Sequence, residues 1–165
     1  VMTMTPLHMT DHGHGLAAVG LVISGHTFGM FAFSPISGRL AGRFGTPAII
    51  AVGLALSAFS SVLAAVAPPD GGTILFIALF LLGVGWNFGF VAGSALLTEG
   101  LDGAERTTLQ GATDAMIWSS AAAAALGSGI VVAAAIYTAL GLLGAALIVL
   151  PVAAMLRGRA ALRRS

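Results

Sequence analysis

The chain has 165 residues, 58% of them hydrophobic and 8% charged, with a formal net charge of +1 and no cysteine. A soluble domain carries about 25% charged residues, so this composition excludes an ordinary water-facing fold, and the absence of cysteine excludes disulfides and thiolate metal sites. The net charge says little about partners and the placement of the charges says more; nucleic acid is not an expected partner, because four arginines beside an apolar span usually act as a topogenic anchor.

Val1 to Met9 is too short to cross a bilayer, which takes about 20 apolar residues, and Pro6 interrupts its backbone pairing. It reads as the outer end of a truncated helix, so the chain is expected to be a piece of a longer protein. Nothing at its start has the layout of a secretory signal. Thr10-Asp11-His12-Gly13-His14-Gly15 is a polar turn. With His8, Met2, Met4 and Met9 nearby it offers ligand types that suit copper or zinc. It also has the make-up of a wet, glycine-rich interfacial turn, and no metal site is assigned to it.

Residues 16–37 form the first full span, with Pro35 expected to kink or fray its end. A short basic loop, Gly38 to Thr46, follows. The second span is 47–67, with Pro47 suited to a first helical turn, and Pro68-Pro69-Asp70-Gly71-Gly72 is a turn by its residue types. The third span is 73–98, and Glu99 to Leu109 is the most charged connection. The remaining apolar stretch is too long for one crossing and fits two, 110–132 and 136–156, with Pro151 bending the last helix. Residues 157–165 are a basic tail. Strands are not expected, because barrel segments are short and alternate in polarity. The fold class is therefore all-α, a polytopic helical membrane protein.

The charges alternate with the spans. Arg39 and Arg43 fall in one connection, Arg106 in another, and Arg157, Arg159, Arg163 and Arg164 in the tail. The intervening connections carry Asp11, His12, His14 and Asp70 and no Arg. This is the positive-inside pattern. It predicts a multi-pass protein of a bacterial inner membrane with a cytoplasmic C-terminus, its tail close to anionic head groups.

Few polar groups lie within the spans. His26 sits halfway along the first, with Met30 one turn on and Phe33 continuing that face. Two readings stand for His26. It is a packing histidine bonded to a neighbouring carbonyl or hydroxyl, or a cavity residue that binds substrate or takes a proton. Asn87 either bridges helices or binds substrate, while Trp86 and Trp118 lie deeper than interfacial aromatics and are cavity candidates. Asp114 is placed in the first turn or so of its helix, where a carboxylate pairs with the helix N-terminus. Gly25 and Gly29 share one helix face, as do Gly85, Gly89 and Gly93. Such faces let helices approach closely in lipid, whether as plain packing or as a sliding contact. No nucleophile with a nearby base and no phosphate-cradling loop is present, so an enzyme is not expected.

The segment Gly38-Arg39-Leu40-Ala41-Gly42-Arg43-Phe44-Gly45 resembles the loop motif of the major facilitator superfamily, G-x-L-a-D-R-x-G-R/K, which follows the second helix of each six-helix half. Gly38, Leu40, Ala41, Arg43 and Gly45 match; Gly42 stands where the family has an acid, and Thr46 where it has a final base. The span order also resembles helices seven to twelve of that family, and Glu105-Arg106-Thr107-Thr108-Leu109-Gln110-Gly111 resembles the inner loop that opens the eleventh. The resemblance implies the C-terminal half of a twelve-helix transporter, with the lipid bilayer, a small-molecule substrate, protons and the N-terminal half of the same protein as partners, and no cofactor. It implies alternating access, with proton-coupled efflux of an apolar or weakly polar drug or metabolite as the first expectation. Nutrient symport, metal-related export and a non-transporting membrane sensor are the alternatives. If the sidedness holds, single cysteines placed at Gly13 and Gly72 of the full-length protein react with an impermeant thiol reagent only from outside the cell; reaction only from the cytoplasm reverses the topology.

Overall fold

A long apolar chain in lipid must satisfy its backbone hydrogen bonds within each segment, which leaves helices as the open-ended solution. The computed structural model of the chain describes residues 1–68 and 70–162, the side chains of 158–162 excepted. Pro69, the Arg159 side chain, Arg163 and Arg164 lie outside the described residues. A 3-10 turn, Met2–Met4, leads into α1 (Thr5–Asp11), α2 (Leu16–Ala32), α3 (Ser34–Phe44), α4 (Thr46–Ala65), α5 (Gly72–Leu97), α6 (Gly103–Ala134), α7 (Tyr137–Leu147) and α8 (Val149–Leu162). No strand occurs among the described residues. By length and composition α4, α5, α6 and the stretch Tyr137–Arg157 can each cross a membrane, and α2 with α3 makes a fifth, bent crossing.

The helix ends differ from expectation in ways the prolines and one aspartate explain. The first span does not fray at its end. It breaks at Phe33 and bends by 42° into α3. Pro35 lies in the first turn of α3, where its missing N–H has no intrahelical partner to lose. The break therefore precedes the proline, because its ring would clash with the carbonyl four residues back, that of Phe31. As a consequence Gly38 to Phe44 is not a loop: it completes α3, and only Gly45 separates α3 from α4. Gly45 turns the chain at φ 88°, a conformation that a side chain resists. The last crossing repeats the pattern. Its interruption is at Ile148, upstream of Pro151, which sits in the first turn of α8. The charged connection also shrinks to residues 98–102. Asp102 caps α6 by accepting from the backbone N–H groups of Ala104 and Glu105, both at 2.9 Å, so the helix starts well before residue 110.

α5 is the axis of the bundle, with α2 and α4 packed along it and α7 packed on α4. Neighbour positions give the directions. Gly25 faces Phe76 and Gly29 faces Phe80, so α2 runs parallel to α5. Gly53 faces Gly89 and Ser57 faces Gly85, so α4 runs antiparallel to it. Gly141 of α7 meets Ala65 and Gly144 meets Ser61, so α7 is antiparallel to α4. The Arg-bearing ends of α3, α6 and α8 thus gather at one end of the bundle. The main core, including Met9, Val22, Ala64, Leu75, Leu79 and Tyr137, lies toward the other end, and Ala41, Ile49 and Ala92 form a smaller one near the arginines. α6 lies outside this framework, with Ser128 its one buried residue among those described.

The glycines divide into contacts and bystanders. A Cβ on Gly83 would collide with the His26 carbonyl, one on Gly29 would stand 2.6 Å from the Phe80 carbonyl, and one on Gly53 would stand 2.7 Å from the Gly89 amide nitrogen. Gly85 is equally tight, 2.6 Å from the Ser57 hydroxyl, whereas Gly25 meets only the movable Phe76 ring at 2.5 Å. Cβ atoms on Gly89 and Gly93 would enter open space. Gly83→Ala in the full-length protein is expected to cost about 1–3 kcal/mol of stability, the usual range for overpacking. Gly93→Ala is expected to stay within about 0.5 kcal/mol. Thermal unfolding of the two purified variants compares them directly.

Candidate functional site

The packing of α2 and α4 on α5 leaves an open space at mid-height, bordered also by the 3-10 turn and α6. This cavity has a volume of ≈ 330 Å³ and is lined by His26, Ser57, Leu82, Trp86, Ala121 and Ser128, among others. Each polar member is tied down from behind. His26 is 7% exposed, and its Nδ1–H donates to the Leu79 carbonyl at 2.8 Å. A carbonyl can only accept, so the bond sets the tautomer and leaves Nε2 as the ring's second polar atom. Ser57 donates to the Gly53 carbonyl at 2.9 Å and Ser128 to the Ala125 carbonyl at 2.7 Å, each keeping acceptor lone pairs. Trp86 is held by rings: Phe90 stacks on it at 4.6 Å and Phe31 meets it edge-on at 6.0 Å. The side chains of the lining are therefore one imidazole, the three hydroxyls of Thr3, Ser57 and Ser128, one indole, the Met2 thioether and aliphatic groups, with no carboxylate or guanidinium.

Met30 and Phe33 do not join His26 there. Phe33 stands at the α2–α3 break, edge-on to Phe28 and Phe80, and Met30 contributes its backbone to the same break. Asn87 is fully buried beside them. Its Nδ2 donates to the Met30 carbonyl at 2.7 Å and to Ser34 Oγ at 2.8 Å, while Ser34 Oγ donates to the Phe31 carbonyl at 2.9 Å. Pro35 has no N–H to offer Phe31, so the Ser34 hydroxyl replaces that bond and Asn87 braces it from α5. Asn87 Oδ1 has no hydrogen-bond partner among the described residues. Trp118 is 59% exposed and is not among the residues that line the cavity.

Asp114 is not in the first turn of its helix. It is the twelfth residue of α6, and the terminal positions belong to Asp102 and Glu105. At 1.5 Å per residue the 20 residues after Asp114 span about 30 Å, the thickness of the apolar layer, which puts Asp114 at its border. There it accepts from Gln110 Nε2 at 2.9 Å, and Gln110 also reaches Ser94 Oγ of α5 at 3.4 Å. Arg106 and Gly111 precede it on exposed turns. Gly38, Ala41, Gly42 and Gly45 line a second recess of ≈ 500 Å³ together with Thr46 and Glu99. Leu40 is half-buried, Arg39 and Arg43 are exposed, and the Arg43 guanidinium lies 5.3 Å from the Phe44 ring centre.

At the other end His8 stacks on Tyr137 at 4.2 Å, and the Tyr137 hydroxyl shares a 2.8 Å hydrogen bond with Thr5. His12 Nδ1 donates to the His8 carbonyl at 2.7 Å. Among the described residues no three His, Asp or Glu side chains converge as metal ligands. The cavity members that the residue pattern did not single out are Ser57, Ala121 and Ser128. Ser57 belongs to a four-residue repeat of small residues, Gly53, Ser57, Ser61 and Ala65, that by itself reads as packing.

The family model of the Major Facilitator Superfamily matches residues 1–165. The chain is 44% identical over 161 residues to the uncharacterized MFS-type transporter YdeG of Bacillus subtilis (strain 168), covering 96% of this chain and 37% of the relative. It is 47% identical over 148 residues to the uncharacterized MFS-type transporter YddS of the same organism, covering 89% and 34%. It is 41% identical over 129 residues to the riboflavin transporter RfnT of Brucella anthropi, covering 78% and 32%. The chain therefore spans about a third of the length of the curated relatives it matches. No solved structure matches it.

Asn87→Ala in the full-length protein is expected to cost about 1–2 kcal/mol, two buried hydrogen bonds each worth somewhat under 1 kcal/mol in a membrane interior. Because Asn87 and Ser34 act on one break, the Ser34→Ala, Asn87→Ala double variant loses less than the sum of the singles. Strict additivity in thermal unfolding would show that the two side chains do not share the load.

Proposed function

The chain belongs to the major facilitator superfamily, and from that premise we propose that it forms the C-terminal half of a secondary transporter that moves a neutral, weakly polar small molecule by alternating access. The observation that carries the substrate class is the lining of the mid-height cavity. A strongly anionic cargo would need a guanidinium or ammonium inside the apolar layer, where an unpaired charge is costly. His26, Ser57 and Ser128 instead offer single hydrogen bonds, and Trp86 offers a flat face. A site at mid-depth between two rocking halves is the usual arrangement for this class of machine, and the N-terminal half supplies the other wall.

The first reading of direction is efflux driven by protons. His26 supports the proton part: its Nδ1–H is committed to Leu79, so Nε2 is the position that gains or loses a proton. Imidazole is the side chain suited to exchanging one near neutral pH. The second reading is uptake of a nutrient, favoured by the relative named as a riboflavin transporter. Riboflavin is an uncharged fused-ring aromatic with a hydroxylated tail, and an indole beside hydroxyls suits such a molecule.

The test uses the full-length protein in vesicles, with a hydrophobic dye and riboflavin as the two cargoes and an imposed proton gradient. Ala121→Phe, which fills the cavity, is expected to abolish flux of whichever cargo moves. His26→Ala is expected to cut gradient-driven flux by about tenfold or more while leaving substrate exchange across the membrane. Full gradient-driven flux in His26→Ala would move proton coupling to the other half. Flux unchanged in Ala121→Phe would remove this cavity from the pathway.

A further inference from the structure

The end of the bundle away from the arginines carries a cluster of titratable groups that the cavity does not use. α1 precedes the membrane-crossing stretches and docks on the start of α7. Its polar contacts there converge on Tyr137, which is buried. The Tyr137 hydroxyl shares its hydrogen bond with the buried Thr5, and the face of its ring carries the His8 imidazole with the two planes only 12° apart. One turn further along α1, the His12 ring stands 4.4 Å from the His8 ring. His12 is held there by its Nδ1–H, which donates to the His8 carbonyl, so Nε2 is where His12 gains a proton.

This placement favours an uncharged His8. Burial, the largest cause, and then His12 lower its pKa below the usual imidazole value; Asp11 raises it and His14 lowers it further. Of the elements around it, α7 presents Tyr137, and α2 has no titratable group but His26, which sits at mid-height. A base whose pKa is lowered in the docked state takes up a proton on undocking. The contact is therefore complete above the usual imidazole range and weakens as pH falls through the lowered value. The face of a phenol attracts a cation and works the other way, at the weak end of its range for a partly exposed ring.

α1 also continues into the cavity. The 3-10 turn runs into it without a break, and Val1, Met2 and Thr3 line the mid-height space together with His26. A tilt of α1 off α7, with Met9 held in the main core as the pivot, moves that border. We propose that His8 and His12 form a proton-operated clasp. Acid on the side away from the arginines, the outer side by the positive-inside pattern, charges both rings, frees His8 from Tyr137 and loosens the border of the cavity. The clasp needs neither the Nε2 of His26 nor any particular cargo, so its failure and the failure of the transport reading are separate.

The experiment measures the α1–α7 distance in the full-length protein, cleared of other cysteines, with spin labels on cysteines placed at the exposed Thr10 and Leu142. The expected result is a second, longer distance population that grows as pH drops from about 8 to about 5, the range in which imidazole changes charge. His8→Gln should lose that population. His12→Gln, an exposed position that leaves the core untouched, should shrink it, because the repelling neighbour is gone. Tyr137→Phe keeps the ring but not the bond to Thr5, and should loosen the contact at every pH while leaving the response in place. Distances that do not change with pH would overturn the proposal. So would a response that persists in His8→Gln or undiminished in His12→Gln, which would assign it to another group, or a contact that tightens in acid, which would mean that the attraction between imidazolium and phenol prevails.

Discussion

Backbone-to-backbone contact along α5 is the constraint on which the rest of this structure depends. In lipid the segments gain little from burying apolar surface against one another, so association relies on close packing and on hydrogen bonds between helices. α5 meets α2 through Gly83 and Gly29 and α4 through Gly85 and Gly53, at distances that leave no room for a methyl group. Those approaches set the depth at which α2 and α4 sit along α5. That depth brings His26, Ser57 and Trp86 to one level, and α6 supplies the last wall with Ala121 and Ser128.

The two proline interruptions share one logic and are completed differently. Pro35 and Pro151 each lie in the first turn of the helix they begin, and each break falls just upstream. At the first break a serine hydroxyl and a buried asparagine take over the carbonyls that the helix can no longer satisfy. The bend is thereby tied to α5 beside the cavity. At the second break nothing comparable is present among the described residues. The arm beyond it separates from α4 and leaves a groove whose walls are entirely apolar.

Much of the fold was legible in the residues because the bilayer imposes simple rules. Long apolar runs become helices, since no other open-ended shape satisfies their backbone in lipid. The interruptions were legible as prolines, though not their effect: a proline reads as a kink at its own position, yet the structure places the break before it. Asp102 shows a related limit. Its capping role was hidden inside a charged stretch that read as a loop, and recognising the cap would have lengthened α6 and moved Asp114 out of the first turn. The site was less legible. His26 and Trp86 stand out in the sequence because polar and aromatic groups are rare within these spans. Ser57, Ala121 and Ser128 do not, because small residues in membrane helices are common and mostly serve packing.

What the sequence by itself determined is the membrane class, the all-α fold and membership of the superfamily. The first two follow from composition and from long apolar runs, and the last from the likeness of residues 38–45 and of the span order to the family's pattern. Only the tertiary structure decided which glycines are contacts, that Asn87 braces a break, and that His26 shares a cavity with Trp86 while Met30 and Phe33 do not. The reason is geometric. Spacing along a helix tells which residues share a face, but the rotation of that face toward a neighbour is set by how two helices pack, and a single helix carries no record of it.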